Sequence, residues 1–122
     1  MKIHESAENY IETIYVLKRR LGEVRSIDIA NELGFSKPSV SIAMKNLREN
    51  GYAEVDAAGY IDLTPAGLEI AERMYERHTI LTDFLVGLGV DPEIAAEDAC
   101  RIEHVISAES FDAIKANSRK NG

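Results

Sequence analysis

The sequence contains no tryptophan, one cysteine and three prolines. A single thiol, Cys100, excludes an intramolecular disulfide framework and any zinc finger built on cysteine pairs. No apolar run approaches the length of a membrane-spanning helix, and Met1–Tyr10 lacks the basic-then-apolar order of a secretory signal. A cytoplasmic protein with no membrane partner is the expectation. Basic residues are in the minority, with 14 Lys and Arg against 21 Asp and Glu, a net charge of −7. That total alone argues against a nucleic-acid partner. Hydrophobic residues make up 45 % of the 122 positions, which supplies a core and excludes disorder as a description of the whole chain.

The distribution of charge says more than its sum. Residues 1–63 carry 8 basic and 10 acidic side chains, and residues 64–122 carry 6 and 11. Residues 13–51 alone carry 7 basic side chains against 4 acidic ones, a net of +3 inside an acidic protein. Such a local field steers a polyanion to that segment.

Glycine and proline divide the chain into elements. Apolar residues at helical spacing predict a first helix over 6–21, closed by Gly22. A second starts after Ser26, read as its N-cap, and ends at Gly34. A third starts at Ser36 with Pro38 in its first turn, and its stripe of Val40, Ala43, Met44 and Leu47 ends at Asn50-Gly51. Two β-capable runs, 52–56 and 60–63, flank a small-residue turn and read as a hairpin. Thr64-Pro65 opens a long helix with Ala71, Met74, Tyr75, His78, Leu81, Leu85 and Leu88 on one stripe. Asp91-Pro92 opens another, with Ala95, Ala99, Ile102 and Ile106 on one face, broken at Ser107–Ser110. A last turn or two spans Phe111–Ala116, with Asn117–Gly122 frayed. The expected fold is mainly α with a small β-hairpin. Residues 1–63 form a winged helix-turn-helix DNA-binding domain, and residues 64–122 form a linker helix and a helical metal-binding and dimerisation domain. Apolar Leu81, Leu85, Leu88, Ile102 and Ile106 exceed what so short a segment covers alone, which predicts a homodimer.

In this architecture the helix after Ser36 enters the major groove of double-stranded DNA. Ser36, Lys37, Ser39 and Ser41 are short or charged donors for phosphates and bases, and Pro38 offers apolar contact to a thymine methyl. Lys45 and Arg48 lie further along, toward the backbone. The competing description makes Ser36 an N-cap only and the two cations a solvated face. The order of helix, turn, helix and hairpin favours DNA.

Cys100, Glu103 and His104 stand at i, i+3 and i+4, three possible ligands on one helical face. Thiolate, carboxylate and imidazole together suit a divalent transition metal. His78 lies on the long helix, and Asn9 and Glu12 are one turn apart on the first. Each has an ordinary alternative: His78 as a hydrogen-bonded core residue, Cys100 as a small buried hydrophobe.

The segments Glu8–Tyr15, Ile29-Ala30, Ser36-Lys-Pro-Ser-Val-Ser41, Leu63-Thr-Pro-Ala-Gly67, Arg77-His78 and Ala99-Cys-Arg-Ile-Glu-His104 occur in this order across nearly the whole chain. Together they resemble the diphtheria-toxin-repressor family, which includes iron-dependent repressors and manganese transport regulators. The resemblance implies a homodimeric winged-helix repressor, in a short form without an SH3-like domain, that binds a palindromic operator when Fe²⁺ or Mn²⁺ is bound. Co²⁺ and Zn²⁺ are implied as in vitro substitutes. It places the metal ligands at Asn9, Glu12, His78, Cys100, Glu103 and His104, and DNA contacts at Ser36, Pro38, Ser39 and Ser41. The set is mixed: Cys100 matches the iron type and Glu12 the manganese type. Positions of the iron type's second site hold Thr82 and Ala96. Two other functions stand beside this one, a metal-independent winged-helix protein whose acidic half binds a protein or small ligand, and a small metalloenzyme. The enzyme is weakest, since no nucleophile or acid–base pair accompanies the cluster.

Overall fold

A computed structural model describes residues 3–121, with side chains described over 7–118. In chain order the elements are α1 (Ile3–Leu21), α2 (Ser26–Leu33), α3 (Lys37–Glu49), β1 (Ala53–Val55), β2 (Ile61–Leu63), α4 (Pro65–Gly87), α5 (Pro92–Ile102) and α6 (Ala108–Asn121). The chain divides into two compact units, Met1–Glu72 and Arg73–Gly122.

The first unit packs α1, α2, α3 and the hairpin around one core. Ile11, Ile14 and Leu17 of α1, Ile29 of α2, Val40, Met44 and Leu47 of α3, and Ile61 of β2 are all buried in it. Full burial of each such side chain contributes about 1.5–3 kcal/mol. Gly34 closes α2 in the left-handed region, φ 69°, where a side chain would be strained, and so sets the tight turn into α3. β1 and β2 are antiparallel, with Glu54 opposite Asp62. The amide of Ile61 also donates to the Val24 carbonyl at 2.7 Å, which ties the hairpin to the segment before α2.

The start of α4 is fixed to the base of this hairpin. The Thr64 hydroxyl donates to the Gly51 carbonyl at 2.6 Å and accepts from the Gly67 amide at 3.2 Å. The Thr64 amide donates to the Tyr52 carbonyl at 3.1 Å.

The second unit has its own small core of Leu81, Ala99 and Phe111, with Ile80, Ile102, Ile106 and Ile114 packed around it. An ion pair joins Glu76 of α4 to Lys115 of α6 at 2.8 Å.

Four boundaries differ from the sequence-based expectation. α1 starts at Ile3 rather than Ser6. The N-cap of α2 is Arg25, not Ser26, because the Asp28 carboxylate accepts the Arg25 amide at 2.9 Å. Residues 108–121 form a helix of 14 residues instead of a turn or two, and the expected frayed end is helical to Asn121; Gly122 lies outside the described residues. α5 ends at Ile102, so Glu103 and His104 occupy the turn beyond it rather than its face. The α4 stripe is also narrower than expected: Tyr75 is exposed and Leu88 lies past the helix end.

Candidate metal and DNA-binding sites

In the second unit Arg77 and His78 sit side by side on α4 and engage the turn after α5. The Arg77 guanidinium donates to the carbonyls of Glu103 (3.0 Å) and Ile106 (3.2 Å) and lies over the Phe111 ring. It satisfies carbonyls left open where α5 stops. His78 Nδ1 stands 2.8 Å from Glu103 Oε1, a hydrogen bond between imidazole and carboxyl group. On the other side His104 Nε2 lies 4.0 Å from Glu103 Oε2. The Glu103 side chain is wholly buried and that of His104 is 8 % exposed. A carboxylate in such a place needs strong partners, since an ionised group removed from water is costly. One carboxylate between two imidazoles is an oxygen–nitrogen donor set of the kind that divalent Mn, Fe, Co and Zn accept.

The remaining expected ligands have individual settings. Asn9 is half-buried and Glu12 buried on α1, and the Asn9 carbonyl accepts from the Thr13 hydroxyl at 2.7 Å. Cys100 is exposed on the last turn of α5. Helix α5 ends at Ile102, although the Glu103 backbone is still helical and its amide donates to the Ala99 carbonyl at 2.9 Å. Among the described residues Cys100 is in no group of three His, Cys, Asp or Glu side chains that converge within 4.8 Å.

In the first unit all seven expected DNA-contact residues are exposed: Ser36, Lys37, Pro38, Ser39, Ser41, Lys45 and Arg48. Ser36 is the N-cap of α3. Its hydroxyl accepts the Ser39 amide at 3.3 Å and donates to the Ser39 hydroxyl at 2.9 Å. Lys18 and Arg20 are engaged by Asp62 and Glu32. Lys37, Lys45 and Arg48 form no ion pair among the described residues, so their charge faces solvent. The hairpin is different: residues 53–63 carry Glu54, Asp56 and Asp62 and no Lys or Arg. Its tip is held by Asp56, whose carboxylate accepts the amides of Ala58 and Tyr60, each at 2.9 Å. Two cations from outside the hairpin meet it: Lys18, paired with Asp62 at 3.1 Å, and Arg25, whose guanidinium lies 4.5 Å from the centre of the Tyr60 ring. Tyr60, with lesser help from Asp56 and Glu23, raises the Arg25 pKa further.

Sequence reasoning passed over two residues. The signal for Arg77 is its place beside a candidate ligand, where an Arg is suited to bridging several carbonyls. Ile42 was not singled out; its signal is a large apolar residue on the polar side of the α3 stripe.

Two family models match the chain. Residues 2–63 match the N-terminal DNA-binding domain of the iron-dependent repressors, and residues 64–120 match their metal-binding and dimerisation domain. The chain is 40 % identical over 118 residues to transcriptional regulator MntR of Escherichia coli O157:H7, covering 97 % of this chain and 76 % of that protein. It is 38 % identical over 109 residues to the HTH-type transcriptional regulator MntR of Listeria monocytogenes serotype 4b (strain F2365), covering 89 % and 77 %. A solved manganese-dependent transcriptional repressor in complex with manganese superposes with a TM-score of 0.85 at 27 % identity, over 92 % of this chain and 52 % of that one. The chain thus spans about half the length of that solved relative. With both domain models matched and regulators of this kind as relatives, the chain belongs to the iron-dependent repressor family of metal-dependent transcriptional regulators.

Proposed function

We propose that this chain is a repressor that binds a palindromic operator as a homodimer when Mn²⁺ or Fe²⁺ is bound, and so controls metal-homeostasis genes in the cytoplasm. The observation that carries the reading is the buried Glu103 carboxylate flanked by His78 and His104, in a chain that also presents an exposed, cationic recognition helix. The proposed ligands are Asn9, Glu12, His78, Cys100, Glu103 and His104. A bound divalent ion supplies positive charge that offsets the carboxylates. The chain's own residues do the rest. Glu103 and His104 are held by the turn that Arg77 anchors, and His78 is oriented by its bond to Glu103. The proposed functional division falls at Leu63/Thr64. In this reading metal occupancy is coupled to DNA binding, so metal and operator raise each other's affinity by the same factor.

Dimer formation is supported by apolar surface in the second unit. Leu81, Ile102 and Ile106, expected to supply it, are taken up by that unit's own core. Leu88, expected to supply it, is exposed, and Val86, Ile94 and Val105 are exposed with it, Leu88 and Val105 each at 68 %. A two-fold dimer presents two copies of α3 to two half-sites.

The test is binding to genomic fragments, with and without each of Mn²⁺, Fe²⁺, Co²⁺ and Zn²⁺. Metal-stimulated binding that disappears in His104→Ala is expected. An operator affinity of His104→Ala at saturating metal equal to the wild-type value overturns the metal switch.

A further inference from the structure

Ile42 is 65 % exposed in the middle of α3. It faces away from Val40, Met44 and Leu47, the residues that seat this helix in the core. The fold makes no use of it, and water disfavours a side chain of this size there. Its neighbours on the outward face are exposed and polar: Ser39, Ser41, Lys45 and Asn46. Pro38, also exposed, stands four residues earlier and so on the same row of the helix. The outward face of α3 is thus a short apolar row set among hydroxyls and unpaired cations.

That combination selects one occupant. Lys37, Lys45 and Arg48 outweigh Glu49 on α3, which favours a polyanion over an acidic protein's own surface. Within the major groove of DNA, the apolar group that distinguishes one base from another is the C5-methyl of thymine. A serine hydroxyl gains little from that methyl, whereas an aliphatic side chain buries it.

We propose that Ile42 is a sequence-reading residue, which packs its side chain against a thymine methyl in each half-site. The inference rests on α3 being the recognition helix and adds the base that it reads. It makes the operator favour T·A at the position beneath the second turn of α3.

The experiment starts with selection of binding sequences by the whole chain, with each of Mn²⁺, Fe²⁺, Co²⁺ and Zn²⁺ in turn, from synthetic duplexes with a randomised core. The selected site is then remade with deoxyuridine in place of each thymine in turn, which deletes one methyl and keeps every hydrogen-bonding group. At one thymine per half-site, deoxyuridine should weaken wild-type binding about threefold to fivefold, the worth of one buried methyl. Ile42→Ala should bind the thymine site about as weakly as wild type binds the deoxyuridine site, and should not distinguish the two. Because Ile42 packs in no core, this variant should keep the wild-type thermal midpoint. If wild type is indifferent to deoxyuridine at every thymine, or Ile42→Ala keeps full discrimination, the assignment is overturned although DNA binding stands. If no sequence is enriched with any of the metals, the DNA-binding reading itself fails, and this proposal with it.

Discussion

His78 Nδ1 stands 2.8 Å from Oε1 of Glu103, a residue 25 positions later in the chain. The contact joins α4 to the turn after α5 and buries the carboxylate completely. Glu103→Gln keeps the size of the side chain and removes its charge. If Glu103 is a ligand, Mn²⁺ affinity should fall by well over about tenfold, since even residues that only orient ligands cost about 10–100-fold. Calorimetric titration measures this, and circular dichroism should show an unchanged helix content. Undiminished Mn²⁺ affinity would assign the His78–Glu103 pair to packing.

Arg77 reaches both carbonyls of the same turn from one guanidinium. Arg77→Met keeps much of the stem and removes the fork. The turn then loses its anchor, and Mn²⁺ affinity should drop about tenfold although Arg77 touches no ion. Both bonds leave from Nη1, so Arg77→Lys should recover little because its ammonium sits on a shorter stem and lacks the planar group that lies over Phe111. Full recovery by lysine would show that charge, not geometry, is what the turn needs.

The segment Leu63-Thr-Pro-Ala-Gly67 has a physical reason visible only in three dimensions. A Cβ on Gly67 would overlap the Tyr52 carbonyl oxygen, and the Leu63 side chain is close as well. Backbone cannot yield as a flexible side chain does. Gly67→Ala should therefore destabilise the first unit by about 1–3 kcal/mol, and Thr64→Val, which loses the helix cap, by about 1 kcal/mol. Thermal unfolding checks both, and a Gly67→Ala protein with the wild-type midpoint would show that the hairpin base adjusts freely.

The helix order, the hairpin and the α2–α3 turn were legible because their signals are local: Gly34 after α2, Ser36-Lys-Pro before the core stripe of α3, Thr64-Pro65 before α4. Failures came where one local signal has two meanings. Ser107–Ser110 reads as a helix break, yet the Ser107 hydroxyl accepts the Ser110 amide at 3.1 Å and so starts α6. Helical spacing groups Cys100, Glu103 and His104 but does not report burial: Cys100 is exposed and Glu103 buried, although the Glu103 backbone is still helical. The His78–Glu103 contact was out of reach, since periodicity places residues on faces but does not pair faces across the chain.

Lys37 and Arg48 flank the Pro38–Ile42 row, and both are exposed without an ion-pair partner among the described residues. Their attraction to DNA then goes to phosphate and carries no sequence information. Lys37→Ala and Arg48→Ala should weaken binding to all sequences, and each should reduce the slope of log affinity against log salt by about 1. Ser39→Ala should leave the slope alone and shift sequence preference. Unchanged slopes in both cation variants would move the DNA contact off α3.

Cys100 decides what kind of metal site this is. It is exposed in the structure, whereas the other second-unit ligands proposed are half-buried or buried. A thiolate ligand would bias the site toward softer ions such as Fe²⁺, Co²⁺ or Zn²⁺, and a set of oxygen and nitrogen donors alone would suit Mn²⁺. Co²⁺ reports the difference directly, because thiolate coordination gives an intense sulfur-to-cobalt charge-transfer band in the near ultraviolet that oxygen and nitrogen ligands do not produce. With Cys100 as a ligand, Co²⁺ titration should raise that band, Cys100→Ser should abolish it, and bound metal should slow alkylation of the thiol. Cys100→Ser should also lower Co²⁺ affinity more than Mn²⁺ affinity. If Co²⁺ binds with no such band and the thiol alkylates at the same rate with and without metal, Cys100 is not a ligand. The site is then an oxygen–nitrogen set built on Glu103, His78 and His104.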